Sequence, residues 1–135
     1  DECLYEFKFR NPICHPTAIF RRSFFDKAGL YPTNYYKDED SALWLNSFMN
    51  SCIFANLEEA LVQSRLDNEL LDRRKNFKSI ISTFLNKIRI TYRLKFGLVG
   101  YCFALLRLII MLSPKSILMK SYLLRNRLWM LILKK

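Results

Sequence analysis

"CIFANLEEALVQSRL", Cys52 to Leu66, is the stretch on which the fold class turns. Its apolar residues fall in two short runs around Glu58-Glu59, a pattern that reads as a strand, a tight turn and a second strand, although polar residues interrupt both runs. Upstream, Thr17 to Phe20 is a further apolar run that suits a strand. Between them lie two helical patterns. One is short, with Ser23 as its cap and Gly29 as its stop. The other has Leu43, Trp44, Phe48 and Met49 at helical spacing. Strands alternating with helices predict an α/β unit over residues 1–66.

The second of these helices opens on three acids, in "YYKDEDSALWL", Tyr35 to Leu45. Asp38-Glu39-Asp40 has two chemical readings. It is an Asp-x-Asp that holds a divalent metal, or it is a carboxylate pair, Glu39-Asp40, working as an acid or base. At a helix start, unpaired N–H groups and the helix dipole favour a carboxylate in either case.

The charge is unevenly distributed. Of the formal +10 over 135 residues, residues 1–66 carry 7 cations against 9 acids, whereas residues 67–135 carry 15 against 3. The chain is long enough for one modest domain with its own core. It begins Asp-Glu-Cys, so it reads as a piece of a longer protein, and no secretory leader lies within it. Cys3, Cys14, Cys52 and Cys102 are widely spaced beside a single histidine, poor material for a zinc site or a disulfide framework. Reduced, mostly buried thiols and a cytoplasmic location are expected.

From Asp67 onward three helical segments are expected. In the first, Phe77, Ile80, Ile81, Phe84, Leu85, Ile88 and Tyr92 form a stripe among Lys and Arg. The second, "GLVGYCFALLRLIIML", has one charge, Arg107, and as a helix would be roughly 24 Å long. That is short against a hydrocarbon core of about 30 Å. The third follows Ser113-Pro114 and again mixes Leu, Ile, Met and Trp129 with cations.

The stretch from Asn11 to Leu66 resembles the C-terminal part of the catalytic domain of family-two glycosyltransferases, the inverting bacterial GT-A enzymes. The resemblance rests on "HPTAIFRR", on "AGLY", on "EDSALWL" and on "FANLEEAL" closing at an Arg, in that order. It implies a partial Rossmann-like GT-A fold and transfer of a sugar from a nucleotide-diphosphate sugar to an acceptor hydroxyl, with inversion. A divalent cation, Mg or Mn, would be held by an Asp-x-Asp lying outside this chain. It also implies that Asp40 is the base and Glu39 its tuner. A neutral hydroxyl is a poor nucleophile, and a carboxylate within hydrogen-bond reach takes its proton as attack proceeds.

The family's metal motif follows a hydrophobic strand, whereas Asp38 opens a helix, so the resemblance favours the base over the metal. By match, His15 lies near the donor or acceptor cleft; alternatively it only bonds backbone at a Pro-flanked turn. Trp44 floors an acceptor site, or belongs to the core. Arg65 ends the strand pair, but Asp67 stands where a histidine commonly follows. With no nucleotide-binding half, the 135 residues alone are expected to transfer nothing.

Three uses compete for residues 67–135: an amphipathic, basic extension lying on an anionic membrane surface, a nucleic-acid binder, or helices that pack on another part of the protein or another subunit. The membrane is favoured and nucleic acid is not, since no recognisable nucleic-acid module is present. The expectation is a peripheral enzyme on the inner face of the cell membrane, acting on a lipid-linked or saccharide acceptor for surface polysaccharide or lipopolysaccharide. The competing class is a non-catalytic assembly module whose acids merely cap a helix.

Overall fold

The computed structural model describes residues 2–57, 59, 61–63 and 67–132, and among them the architecture is all helical, without a strand or sheet. Seven α-helices follow in order: α1 (Glu2–Phe7), α2 (Arg22–Ala28), α3 (Glu39–Met49), α4 (Asn68–Arg74), α5 (Phe77–Arg93), α6 (Gly97–Leu112) and α7 (Lys115–Ile132), with a 3-10 turn at His15–Thr17.

The α/β expectation is therefore corrected. Thr17 closes the 3-10 turn, Ala18 is extended, and Ile19 is 96% exposed. Residues 52–57 and 61–63 run without regular structure, and Glu58 lies outside the described residues. The physical reason is the lack of a partner strand among the described residues. A strand is stabilised by a neighbour about 4.8 Å away that takes up its N–H and C=O groups, and a lone hairpin is marginal in water. The interrupting polar residue finds other work, since the Asn56 side-chain amide donates to the Pro12 carbonyl at 3.3 Å.

The core is aromatic. Phe7, Leu43, Trp44, Leu45 and Ile90 are buried together with Ala28 and Cys52, and Phe20, Phe24, Phe48 and Phe54 pack around them. Phe20 stacks on Trp44 with centroids 5.7 Å apart, while Phe24 and Phe54 meet it edge-on. Ile90 comes from α5, on the basic side of the charge break. Two more α5 side chains reach the loop before α3: Ser82 donates to the Lys37 carbonyl at 3.4 Å and Asn86 to the Asp38 carbonyl at 3.2 Å.

The face that α5 buries takes only Ile80 from the apolar stripe of the sequence. Ser79, Ile80, Thr83, Asn86, Lys87, Ile90 and Thr91 are buried, whereas Phe77, Leu85 and Tyr92 are exposed. Small and polar side chains let α6 come close. A Cβ added at Gly100 would stand 2.7 Å from Thr91 Cγ2 and 2.9 Å from Phe96 Cβ, too near for either. Gly100→Ala should therefore destabilise the fold by about 1–3 kcal/mol, read as a lower denaturant midpoint.

Lys87 is buried at 5% exposure, with its ammonium donating to the Phe7 carbonyl at the end of α1 and lying 5.4 Å from the Phe7 ring centroid. Burial first, and the Arg107 charge second, lower its pKa from 10.5 to about 7. Between those values the unfolded chain holds a proton that the folded chain has shed. Stability should then rise with pH from about 7 toward 10, by at most about 1.4 kcal/mol per unit. Urea midpoints measured across that range should climb, and Lys87→Met should flatten the climb.

Downstream, Asp67 caps α4 by accepting the Leu70 N–H at 2.8 Å. Helix α7 is tied to α4 by the Lys115–Asp72 ion pair and the Arg74–Tyr122 hydrogen bond. Of the four cysteines, Cys3 and Cys52 are buried as expected, but Cys14 and Cys102 are exposed.

Candidate functional site

The turn into α3 sets the site. Asp38 is the residue before the first helical turn and adopts φ 63°, ψ 32°, the left-handed region that aspartate tolerates better than most side chains. Its carbonyl accepts both the Ala42 N–H at 3.1 Å, the first bond of the helix, and the Asn86 amide. Asp38 thus serves the helix through its backbone. Glu39 and Asp40 form the first turn, where the helix N-terminus favours negative charge.

Asp40 is half-buried. Its Oδ1 accepts the Ser41 backbone N–H at 2.7 Å, and its Oδ2 lies 3.4 Å from the Asn11 amide nitrogen. Asn11 and Ser41 are mutually bonded, amide to hydroxyl at 2.8 Å and hydroxyl to amide oxygen at 2.9 Å, so the wall behind the carboxylate is fixed. Burial pushes the Asp40 carboxyl above the ordinary aspartate range; the Ser41 N–H opposes this, Asp38 and Glu39 add to it, and His15 opposes it. The result is a carboxylate more basic than usual, set beside a second carboxylate.

His15 and Tyr31 stand in the same neighbourhood. The Tyr31 hydroxyl and His15 Nε2 are 3.0 Å apart, with ring centroids 5.3 Å apart. Burial raises the Tyr31 pKa, and Asp40 and then Glu39 raise it further, which places this phenol within electrostatic reach of the acid pair. His15 therefore directs its ring to Tyr31 rather than to the backbone of its turn. Four groups converge: a basic carboxylate, its acidic neighbour, an imidazole and a phenol. Together they offer proton acceptance at Asp40 and hydrogen bonding to a polar, hydroxyl-rich molecule.

Two expected members remain. Trp44 is completely buried, the centre of the aromatic core, with no surface to offer an acceptor; a helix that puts Leu43, Trp44 and Leu45 all inside leaves its ring no way out. Arg65 lies outside the described residues. Asp38 works through its carbonyl and the Asp40 oxygens face N–H donors; among the described residues no three His, Cys, Asp or Glu side chains form a ligand set.

Two residues that sequence reasoning passed over, Asn11 and Tyr31, belong to the site. Their signal was present in "NP" and "AGLY", the polar or hydroxyl-bearing members of segments otherwise read for their turns. Comparison with models of known protein families, with curated proteins and with solved structures found no match.

Proposed function

We propose that this chain is the acceptor-side part of an inverting glycosyltransferase. In this reading a nucleotide-diphosphate sugar is the donor, a lipid-linked or saccharide hydroxyl is the acceptor, and Asp40 is the base. The observation that carries it is the environment of Asp40, a half-buried carboxylate at a helix start whose proton affinity is raised by burial and by neighbouring acids. That is the tuning a general base uses at neutral pH.

As the acceptor oxygen attacks the anomeric carbon, Asp40 takes the hydroxyl proton and the nucleoside diphosphate leaves from the opposite face. Glu39 adds to the raised proton affinity of Asp40, while Tyr31 and His15 bond to the sugar hydroxyls. The Mg or Mn ion of such a transfer would be held by residues outside this chain, and no step falls to it here. The product would be a cell-surface polysaccharide or lipopolysaccharide, made peripherally on the cytoplasmic face of the membrane.

The test incubates the full-length protein with a panel of nucleotide-diphosphate sugars and lipid-linked acceptors, following nucleoside diphosphate release and the product's anomeric configuration by NMR. Inverted product supports the reading. Retained configuration, or no release with any donor, sinks it.

A further inference from the structure

Helices α5 and α6 leave many of their large apolar side chains outside. Small and polar groups take much of the inward side, with Thr83 and Thr91 of α5 and Gly100 and Ala104 of α6 buried beside Ile80, Ile90 and Met111. On α6, Leu98, Val99, Leu105, Leu106, Ile109 and Leu112 are all exposed, Leu98 at 78% and Ile109 at 64%. In water an exposed apolar surface of this kind marks an interaction site. Small residues between helices with large ones outside is the packing of proteins whose surroundings are themselves apolar.

We propose that the outward face of α6 docks on an anionic lipid surface. This rests on the peripheral placement proposed above but not on the role of Asp40. Length decides between lying and spanning. Helix α6 has 16 residues, about 24 Å, and no helix among the described residues is long and apolar enough to cross a membrane. It therefore lies in the interface, its apolar side chains among the acyl chains.

Charge decides between lipid and a second copy. Residues 67–135 carry 15 cations against 3 acids, so pairing two such faces would bring like charges together. Exposed Arg93 and Lys95 precede α6, and Arg107 interrupts it. On α7, Lys120, Leu123, Leu124 and Arg127 line one shallow groove of about 210 Å³. Two leucines bounded by two cations suit an acyl chain with its anionic headgroup, since Lys and Arg stems lie along apolar surface while their charges reach the phosphates.

The test is flotation of the 135-residue chain with phosphatidylcholine vesicles made with and without phosphatidylglycerol. Co-flotation is expected only with the anionic vesicles and should weaken with salt. Leu106→Asp with Ile109→Asp should reduce binding by roughly a hundredfold while leaving the circular dichroism unchanged, because both side chains already face solvent. Lys120→Glu with Arg127→Glu should cost roughly fivefold or more for each charge.

Three results would overturn the proposal. One is no co-flotation with either vesicle. Another is full binding by the Leu106/Ile109 variant. The third is a wild-type dimer in sedimentation that this variant converts to monomer without any lipid binding, which would assign the face to a second copy. Retention on RNA without vesicle binding counts as the first of these.

Discussion

Replacing Asp40 by asparagine in the full-length protein is expected to slow sugar transfer by about a hundred- to ten-thousandfold, the usual contribution of a positioned base. Asparagine keeps an oxygen for the Ser41 N–H that now reaches Oδ1, so the start of α3 should survive. Stability should move the other way. Because its folded pKa is raised, Asp40 stabilises the fold only below its unfolded pKa, and that contribution is lost as pH rises through the folded value. At neutral pH the carboxylate is therefore a burden, and the asparagine variant should melt no lower than the wild type and somewhat higher.

The pH profile supplies a second check. The acid limb of the wild-type rate should lie above the ordinary aspartate range and disappear in the variant. A variant of full activity would remove Asp40 from the chemistry and leave the acids as groups of the helix start. A variant that unfolds would contradict the geometry around Ser41.

The second large effect belongs to Trp44. Trp44→Ala should destabilise by about 3–5 kcal/mol, out of about 5–15 for a domain of ordinary stability, and lower the Tm by about 10 °C or more. The ring fills the space between Phe20, Phe24 and Phe54. Trp44→Phe should cost less than half as much. It keeps most of the ring contact, and it removes an indole N–H that is buried without an acceptor, a group whose desolvation is costly in itself. If Trp44 instead formed the floor of an acceptor site, the alanine variant would raise KM with its Tm intact, and thermal melts monitored with activity separate the two.

The helices were the legible part of the chain. Apolar residues recurring every three or four positions predict α5, α6 and α7 from sequence, and α6 coincides with the run between Phe96 and Ser113. Gly29 ends α2 at φ 76°, as a helix stop should, but Ser23 lies inside the helix and Arg21 takes the cap position. The lack of a sheet among the described residues was not legible, because an apolar run such as Thr17 to Phe20 carries information about burial and none about whether a neighbouring strand exists.

Periodicity also misled on α5. It identifies an apolar stripe without saying whether that stripe meets protein or something else. Here Ser79, Thr83 and Thr91 lie on the protein side, where Thr91 meets Gly100 of α6 closely. For the site, the acid pair was visible in "DEDSALWL", whereas the convergence of Asn11, His15 and Tyr31 depends on contacts between residues distant in the chain.

The two carbonyls before α3 are each held by a side chain of α5, Lys37 by Ser82 and Asp38 by Asn86, and Lys87 of the same helix holds the end of α1. Dissecting the protein by charge would therefore cut it in the wrong place. A fragment ending at residue 66 would keep every acid of the triplet yet lose the struts that aim them, together with Ile90 from the core. Whoever divides this chain for separate study should keep α5 with the acidic half and place the cut beyond Arg93.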